Sequence, residues 1–336
     1  MGRQLFLDAA RGARTPRPPV WLMRQAGRYL PEYRELRSEY SFLEAIKSPE
    51  VAAEITLQPY ERFPLDAVVM FSDILTVLEP LGFDYHLESG VGPVVENPVE
   101  GPADVDRPTG SVRAETAYVA ALLDRLDDRV DDAAVLGFAG GPFTLASYAV
   151  EGGPSRSKMA VRRLRTAHPA AFETLLSAFT DAVIEYLQMQ VEHGADAVQL
   201  FDTYAGMLGR SAYRESVVPL HREIVESVDV PTIVFARNMG GRLDLLADTG
   251  ADVVGLDWTV NMAGARAILG ETPVQGNLDP AELFADEARI RERTAEIIEA
   301  AGPQGHILNL GHGVHRETPV SAVETFVETA RDWSWD

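Results

Sequence analysis

Eight short apolar runs punctuate the chain, and most of the stretches between them have helical periodicity. The runs cover residues 20–23, 67–71, 133–137, 197–201, 231–235, 253–256, 273–276 and 306–309. They are continuously apolar rather than alternating, as expected for strands covered on both faces. Apolar positions at helical spacing occupy 32–44, 49–63, 114–126, 143–150, 170–192, 211–227, 242–248, 263–269, 280–301 and 319–333. Pro49 behind Ser48 reads as a first-turn proline with a serine N-cap. Eight strand–helix repeats predict a closed (β/α)8 TIM-type barrel, an α/β fold, rather than an open doubly wound sheet. A Gly-x-Gly-x-x-Gly fingerprint is missing after the first strand, which argues against a dinucleotide fold. Residues 1–336 read as one domain. Within it, 1–18 is a polar arm ending in an extended Pro-rich stretch, and the Gly- and Pro-rich segment 80–112 is a hairpin excursion.

Composition narrows the partners. Among 336 residues, 51 are Asp or Glu and 30 are Lys or Arg, a formal net charge of -21. Lysine occurs only at 47 and 158. Such a surface repels nucleic acid and anionic membranes, and it suits solubility in concentrated salt. An anionic substrate would need a local arginine pocket to overcome this field. The chain has no cysteine. Disulfides and thiolate sites are therefore excluded, and a reducing cytoplasm is the expected location. The N-terminus lacks the apolar core of a signal peptide. Residues 133–150 reach the lower limit of a membrane span, but Gly140-Gly141-Pro142 in their middle predicts a buried strand, a tight loop and a buried helix.

In a barrel of this kind chemistry sits where strands end and helices begin. The first strand runs into Arg24-Gln25-Ala26-Gly27-Arg28, two guanidiniums four positions apart around a glycine. Each guanidinium can grip a carboxylate through two parallel hydrogen bonds. The other strand ends carry Ser72 and Asp73; Gly140 to Thr144 with Tyr148 a turn later; Asp202, Thr203 and Tyr204; Arg237 and Asn238; Asp257 and Trp258; Asn277; and Gly311-His312-Gly313. The opposite strand ends have no comparable set. Each residue also has a plainer reading. Asp73 or Thr203 can cap a helix, Tyr148 can be a packed aromatic, His312 can bond a backbone group, and Asp202 and Asp257 can brace loops. The seven histidines show no helix-face zinc spacing, and no P-loop, serine elbow or strand-end lysine is present. The pattern predicts acid–base or electrostatic catalysis without metal or cofactor.

The stretch 19–34, with Arg24-Gln25-Ala26-Gly27-Arg28 at its centre, resembles the N-terminal signature of the uroporphyrinogen decarboxylase family. The stretch 137–153, with Gly140-Gly141-Pro142-Phe143-Thr144 and Tyr148, is similar to its second signature. Phe71-Ser72-Asp73, Phe201-Asp202-Thr203, Leu256-Asp257-Trp258 and Gly311-His312-Gly313 are similar to further motifs. Thr203 stands where other members have serine, and both offer a hydroxyl. The resemblance implies removal of carbon dioxide from the four acetate side chains of uroporphyrinogen to give coproporphyrinogen, without a cofactor, by a homodimer. It carries substrate binding to Arg24, Gln25, Ala26, Gly27, Arg28, Asp73, Tyr148, Thr203 and His312, with Asp73, Arg28 and Arg24 as the catalytic set.

The chemistry can be stated independently. A departing carbon dioxide leaves an electron pair, and a pyrrole protonated on a ring carbon can accept it. An ionised carboxylate beside the pyrrole N–H groups stabilises that cation most in a dry pocket. Asp73 fits this role, with N–H groups and the arginines expected to favour its charged form. The proton donor stays open between an arginine-bound water, Arg28 and a substrate carboxyl. Two rivals remain at this stage. One is a zinc-dependent corrinoid or thiol methyltransferase on the same fold, disfavoured by the absence of cysteine. The other is a tetrapyrrole carrier needing the clamp but not Asp73.

Overall fold

A computed structural model describes residues 1–107 and 109–335. The strands are β1 (Ala67–Val69), β2 (Tyr85–Glu88), β3 (Gly92–Val95), β4 (Ala134–Gly140), β5 (Ala197–Phe201), β6 (Thr232–Phe235), β7 (Val253–Gly255), β8 (Val274–Gln275) and β9 (His306–Ile307). Seven of them form one parallel sheet in the order β1-β4-β5-β6-β7-β8-β9. The first predicted strand is reduced to one bridge between Val20 and Leu308. That bridge closes the circle. Leu308 N–H donates to Pro19 O at 2.9 Å on one side, and Asp66 N–H donates to Val20 O at 2.9 Å on the other. The architecture is the expected (β/α)8 TIM-type barrel. β2 and β3 pair antiparallel, with Tyr85 opposite Val95, and form the expected excursion.

The interior is filled by side chains that alternate inward. Trp21, Met23, Ala67, Leu136, Ile233, Phe235, Val253 and Ile307 pack together there. Three polar groups share that space because they satisfy one another. Trp21 Nε1 donates to Gln275 Oε1 at 2.9 Å, and Gln275 Nε2 donates to Gln199 Oε1 at 3.0 Å.

The N-terminal segment departs from the expected polar arm. Residues Gly2–Ala10 form a helix, α1, which buries Leu5, Phe6, Ala9 and Ala10. Phe6, Ala9 and Ala10 join the barrel-interior cluster, so the segment plugs the N-terminal end of the barrel. The apolar positions 5, 6, 9 and 10 lie on one helical face. Several predicted helices break where local chemistry demands it. The 32–44 helix divides into Pro31–Glu39 and Phe42–Lys47, because Ser41 and Glu44 make a reciprocal capping box. The 211–227 helix divides at Val217 into Arg210–Ser216 and Val218–Glu226, the second with Pro219 in its first turn. The 280–301 helix becomes a 3-10 turn, Pro280–Phe284, then Glu287–Ala301 behind the N-cap Asp286. Ser48 sits at the N-cap of Pro49–Arg62 without a side-chain bond. A further helix, Met159–Ala167, was not expected. Residues 133–150 form β4 and the helix Pro142–Glu151, and among the described residues no helix is long and apolar enough to cross a membrane.

The strand ends facing α1 also carry a feature that the sequence pattern concealed. Arg17 grips Asp66 through two bonds of 2.7 and 2.8 Å, and Val20 N–H donates to the same carboxylate at 2.9 Å. Asp66 is fully buried and Arg17 nearly so. Removing Asp66 leaves the Arg17 charge buried alone, which costs roughly 3–5 kcal/mol. Asp66→Ala is therefore expected to lower the melting temperature strongly. Replacing Arg17 and Asp66 together with Met and Leu should cost less than Asp66→Ala alone, measured by thermal unfolding.

Candidate active site

The loops after β9 and after residue 23 are sewn together at the C-terminal mouth of the barrel. Asn309 Oδ1 accepts Met23 N–H at 3.0 Å and Leu310 N–H at 2.8 Å. Val314 N–H donates to Met23 O at 2.9 Å. This seam sets Arg24 beside Gly313, where a β-carbon would overlap the Arg24 side chain. Arg24 itself adopts the left-handed conformation at φ 60. Gln25 is buried; its Oε1 accepts Leu22 N–H at 3.3 Å, its carbonyl accepts the Tyr29 hydroxyl at 2.8 Å, and its Nε2 has no protein partner. Ala26 and Gly27 are half-buried, and Arg28 is exposed on the rim.

Asp73 follows β1 and is half-buried: one edge meets the cleft, while protein crowds the rest. Its Oδ1 accepts Leu75 N–H at 3.2 Å, and the Tyr85 hydroxyl lies 3.5 Å from Oδ2. Burial raises its pKa to about 6; the Leu75 amide, the Tyr85 hydroxyl, the Ile74 amide and the Arg24 charge pull the other way. The amides and the Arg24 charge thus act toward the charged form, the expected direction, and burial opposes them. Desolvation is the larger influence, and Asp73 is mainly but not wholly ionised at neutral pH.

Arg24 is the guanidinium whose field reaches Asp73, Tyr148 and His312. His312 is packed edge-on against Phe235 and Trp258, with ring centroids 6.1 and 6.0 Å away. Burial lowers its pKa to about 4, and the charges of Arg24 and Arg237 add to the effect. It is neutral at pH 7 and offers one N–H donor. Arg237 stacks on Trp258, its guanidinium carbon 4.7 Å from the ring centroid.

Tyr148 comes from the helix after β4, and its hydroxyl lies 3.2 Å from that of Tyr204. Burial raises the Tyr148 pKa, so the hydroxyl stays protonated and can donate. Asp202 holds Tyr204 in place through Thr144. That carboxylate is fully buried and accepts Thr144 N–H at 2.7 Å and its hydroxyl at 2.6 Å, while His221 Nε2 lies 2.8 Å from its other oxygen. The Thr144 hydroxyl in turn accepts Tyr204 N–H at 3.0 Å. Asp257 likewise braces Thr259 N–H at 2.8 Å and the amide of Asn238. Asp202 and Asp257 are therefore loop braces. Among the described residues, no carboxylate forms an ion pair with Arg24, Arg28, Arg237 or Lys158.

The mouth thus joins one shielded carboxylate, unpaired cations and protonated tyrosine hydroxyls. The uroporphyrinogen decarboxylase family model, URO-D, matches residues 1–333. The chain belongs to the uroporphyrinogen decarboxylase family. A relative named uroporphyrinogen decarboxylase from Gloeobacter violaceus is 46% identical over 98% of both chains. One of the same name from Myxococcus xanthus is 45% identical over 96% of this chain and 94% of its own. A solved methyltransferase from Methanosarcina mazei superposes with a TM-score of 0.84 over 98% of both chains at 21% identity, which shows a shared fold. Tyr85 and Lys158, both at this site, lay outside the sequence reading: Tyr85 arrives from the hairpin and Lys158 from an inter-helix loop.

Asp73 also has a consequence for stability. Its folded-state pKa lies above that of an unfolded aspartate, so the folded chain binds the extra proton between pH 4 and 6. Stability from this group is present below pH 4 and is lost as pH rises through 6. Asp73→Asn is expected to raise the melting temperature at pH 7 by roughly a few degrees, given ~2–4 °C per kcal/mol in domains of 150–250 residues. At pH 4 the variant and wild type should coincide in differential scanning calorimetry.

Proposed function

We propose that this chain removes carbon dioxide from the four acetate side chains of uroporphyrinogen III, giving coproporphyrinogen III in haem biosynthesis, with Asp73 as its central catalytic group. The placement of Asp73 carries the reading: a carboxylate shielded from water, within the field of Arg24, at the mouth of the barrel. Protonation of a pyrrole ring carbon creates a cation. The Asp73 carboxylate faces the ring N–H groups and lowers the energy of that cation. The bond between the acetate methylene and its carboxyl then breaks, carbon dioxide leaves, and the electron pair neutralises the ring. A second proton converts the exocyclic methylene into a methyl group, and loss of the first proton from the ring carbon restores the aromatic pyrrole, so one proton is consumed for each carbon dioxide released.

The substrate carries eight carboxylates. Arg24, Arg28 and the backbone of Gln25, Ala26 and Gly27 bind those on one side; Tyr148, Thr203 and the neutral His312 donate hydrogen bonds to others. No residue here is asked to hold a metal or cofactor. The methyltransferase reading rests on a likeness of fold at 21% identity, and this chain lacks the cysteine that a thiolate zinc site would need. A carrier would not need a shielded carboxylate, and turnover separates the two. The family relationship supports a homodimer, and the lack of cysteine fits the cytoplasm.

Anaerobic incubation with uroporphyrinogen III should yield coproporphyrinogen III through intermediates with seven, six and five carboxylates, separated by chromatography after oxidation. Asp73→Asn should lower kcat/KM about 10²–10³-fold or more, and recovery of intact uroporphyrinogen from the wild type would overturn the assignment. For the wild type, kcat/KM should fall below about pH 6 as Asp73 takes up its proton. Sedimentation is expected to give twice the chain mass.

A further inference from the structure

Lys158 is one of two lysines in the chain, and it lies 2% exposed at the N-terminus of the helix Met159–Ala167. Its backbone is left-handed at φ 48, and Ser155 Oγ accepts its N–H at 3.0 Å. The side chain reaches back to the mouth of the barrel. Nζ lies 4.0 Å from the centre of the Tyr204 ring and 5.2 Å from that of Tyr148. These are the two tyrosines whose hydroxyls meet at 3.2 Å.

A buried ammonium normally has a carboxylate for company, because loss of water costs it several kcal/mol. Acidic residues outnumber basic ones in this chain 51 to 30, yet none of those among the described residues pairs with Lys158. Two aromatic faces offset part of that cost but supply no negative charge. A cation held this way is poorly compensated until an anion enters its field. Packing alone would be served better by an apolar side chain of the same length. The two hydroxyls have two hydrogens between them. If one is used within the pair, the other remains for an oxygen acceptor. The ammonium beneath both rings draws electron density from them and favours negative charge at that position.

We propose that Lys158 is a positioning residue of the substrate site, holding the Tyr148–Tyr204 pair in register and supplying the positive field that draws one substrate carboxylate onto their hydroxyls. The inference rests on the decarboxylase reading, since it needs a polycarboxylate substrate. It adds to Tyr148 both a hydroxyl partner, Tyr204, and a charge beneath the two rings.

Lys158→Met keeps the length of the side chain and removes the charge. With anaerobic uroporphyrinogen as the probe, it should raise KM about ten-fold while kcat changes less than three-fold. Lys158→Arg should recover most of the loss. The melting temperature of Lys158→Met should equal or exceed that of the wild type, because the variant no longer buries an unpaired charge. In a Tyr148→Phe background the same substitution should raise KM less than two-fold, because the hydroxyl pair through which it acts is gone. An unchanged KM in Lys158→Met, a ten-fold effect that persists in the Tyr148→Phe background, or a loss of affinity accompanied by a fall in melting temperature would each overturn the proposal. Failure of the wild type to convert uroporphyrinogen would instead strike the functional reading, and it is seen in the control before any variant is compared.

Discussion

Burial pushes the Asp73 carboxyl up to about 6, and the groups beside it only partly offset the push. The opposition between a charge the chemistry needs and a setting that penalises it governs its neighbours as well. The same loss of water raises the Tyr85 and Tyr148 pKa values and keeps both hydroxyls protonated. It lowers His312 to about 4 and leaves the imidazole neutral. At neutral pH the mouth of the barrel therefore offers one partly protonated acid, neutral donors and permanently charged guanidiniums. Under the proposed mechanism a protonated pyrrole would gain most from a carboxylate that water screens little, so a destabilised resting state and a stabilised transition state would have one cause.

The barrel achieves this by joining its ends. The first strand is the weakest, a single bridge at Val20, yet the loop after it carries Arg24 and Arg28. Its position depends on side chains and backbone from the far end of the chain: Asn309 and Val314 both bond Met23. Gly313 leaves room for Arg24 to lie across the last loop. The site is thus assembled from residues near 24, 73, 148, 204 and 312, and it exists only when the circle is closed. At the other end of the strands Arg17, Asp66 and α1 hold the closure shut without touching the chemistry.

What the sequence revealed follows from which forces are local. Continuous apolar runs marked the strands because both faces of a barrel strand are covered. The run 197–201 matched β5 at both ends, while several other ends moved by one to three residues, since hydrogen-bond pairing and not hydrophobicity sets them. The helix break at Ser41 was also legible, as Ser41 and Glu44 have capping-box spacing, but the surrounding helical periodicity masked it. The amphipathic face of α1 was masked by the polar residues around it. By contrast Arg17 and Asp66 are 49 positions apart, and neither Tyr85 nor Lys158 belongs to a strand-end loop. Their roles come from tertiary proximity, which no spacing rule reports. The recognisable motifs singled out Asp73, Arg24 and Arg28 as candidates, while the balance of desolvation against charge at Asp73 required the packed surroundings.

The distribution of charge shows how an acidic chain can hold an octacarboxylate. A formal charge of -21 gives a surface that repels such a substrate at long range. Many surface arginines are neutralised by partners, as in Arg62 with Glu32 and Arg113 with Glu192. Among the described residues, the cations gathered at the barrel mouth (Arg24, Arg28, Arg237 and Lys158) are not. Their clustering there sets a near field that attracts anions against a far field that repels them. Salt acts differently on the two, since the Debye length is ~10 Å at 0.1 M and ~3 Å at 1 M. Rising ionic strength removes the long-range repulsion first, while a cation stacked on aromatic rings in a desolvated cleft is screened far less. Charge count therefore governs the long-range approach of an anion, and the unpaired cations at the mouth supply the local attraction.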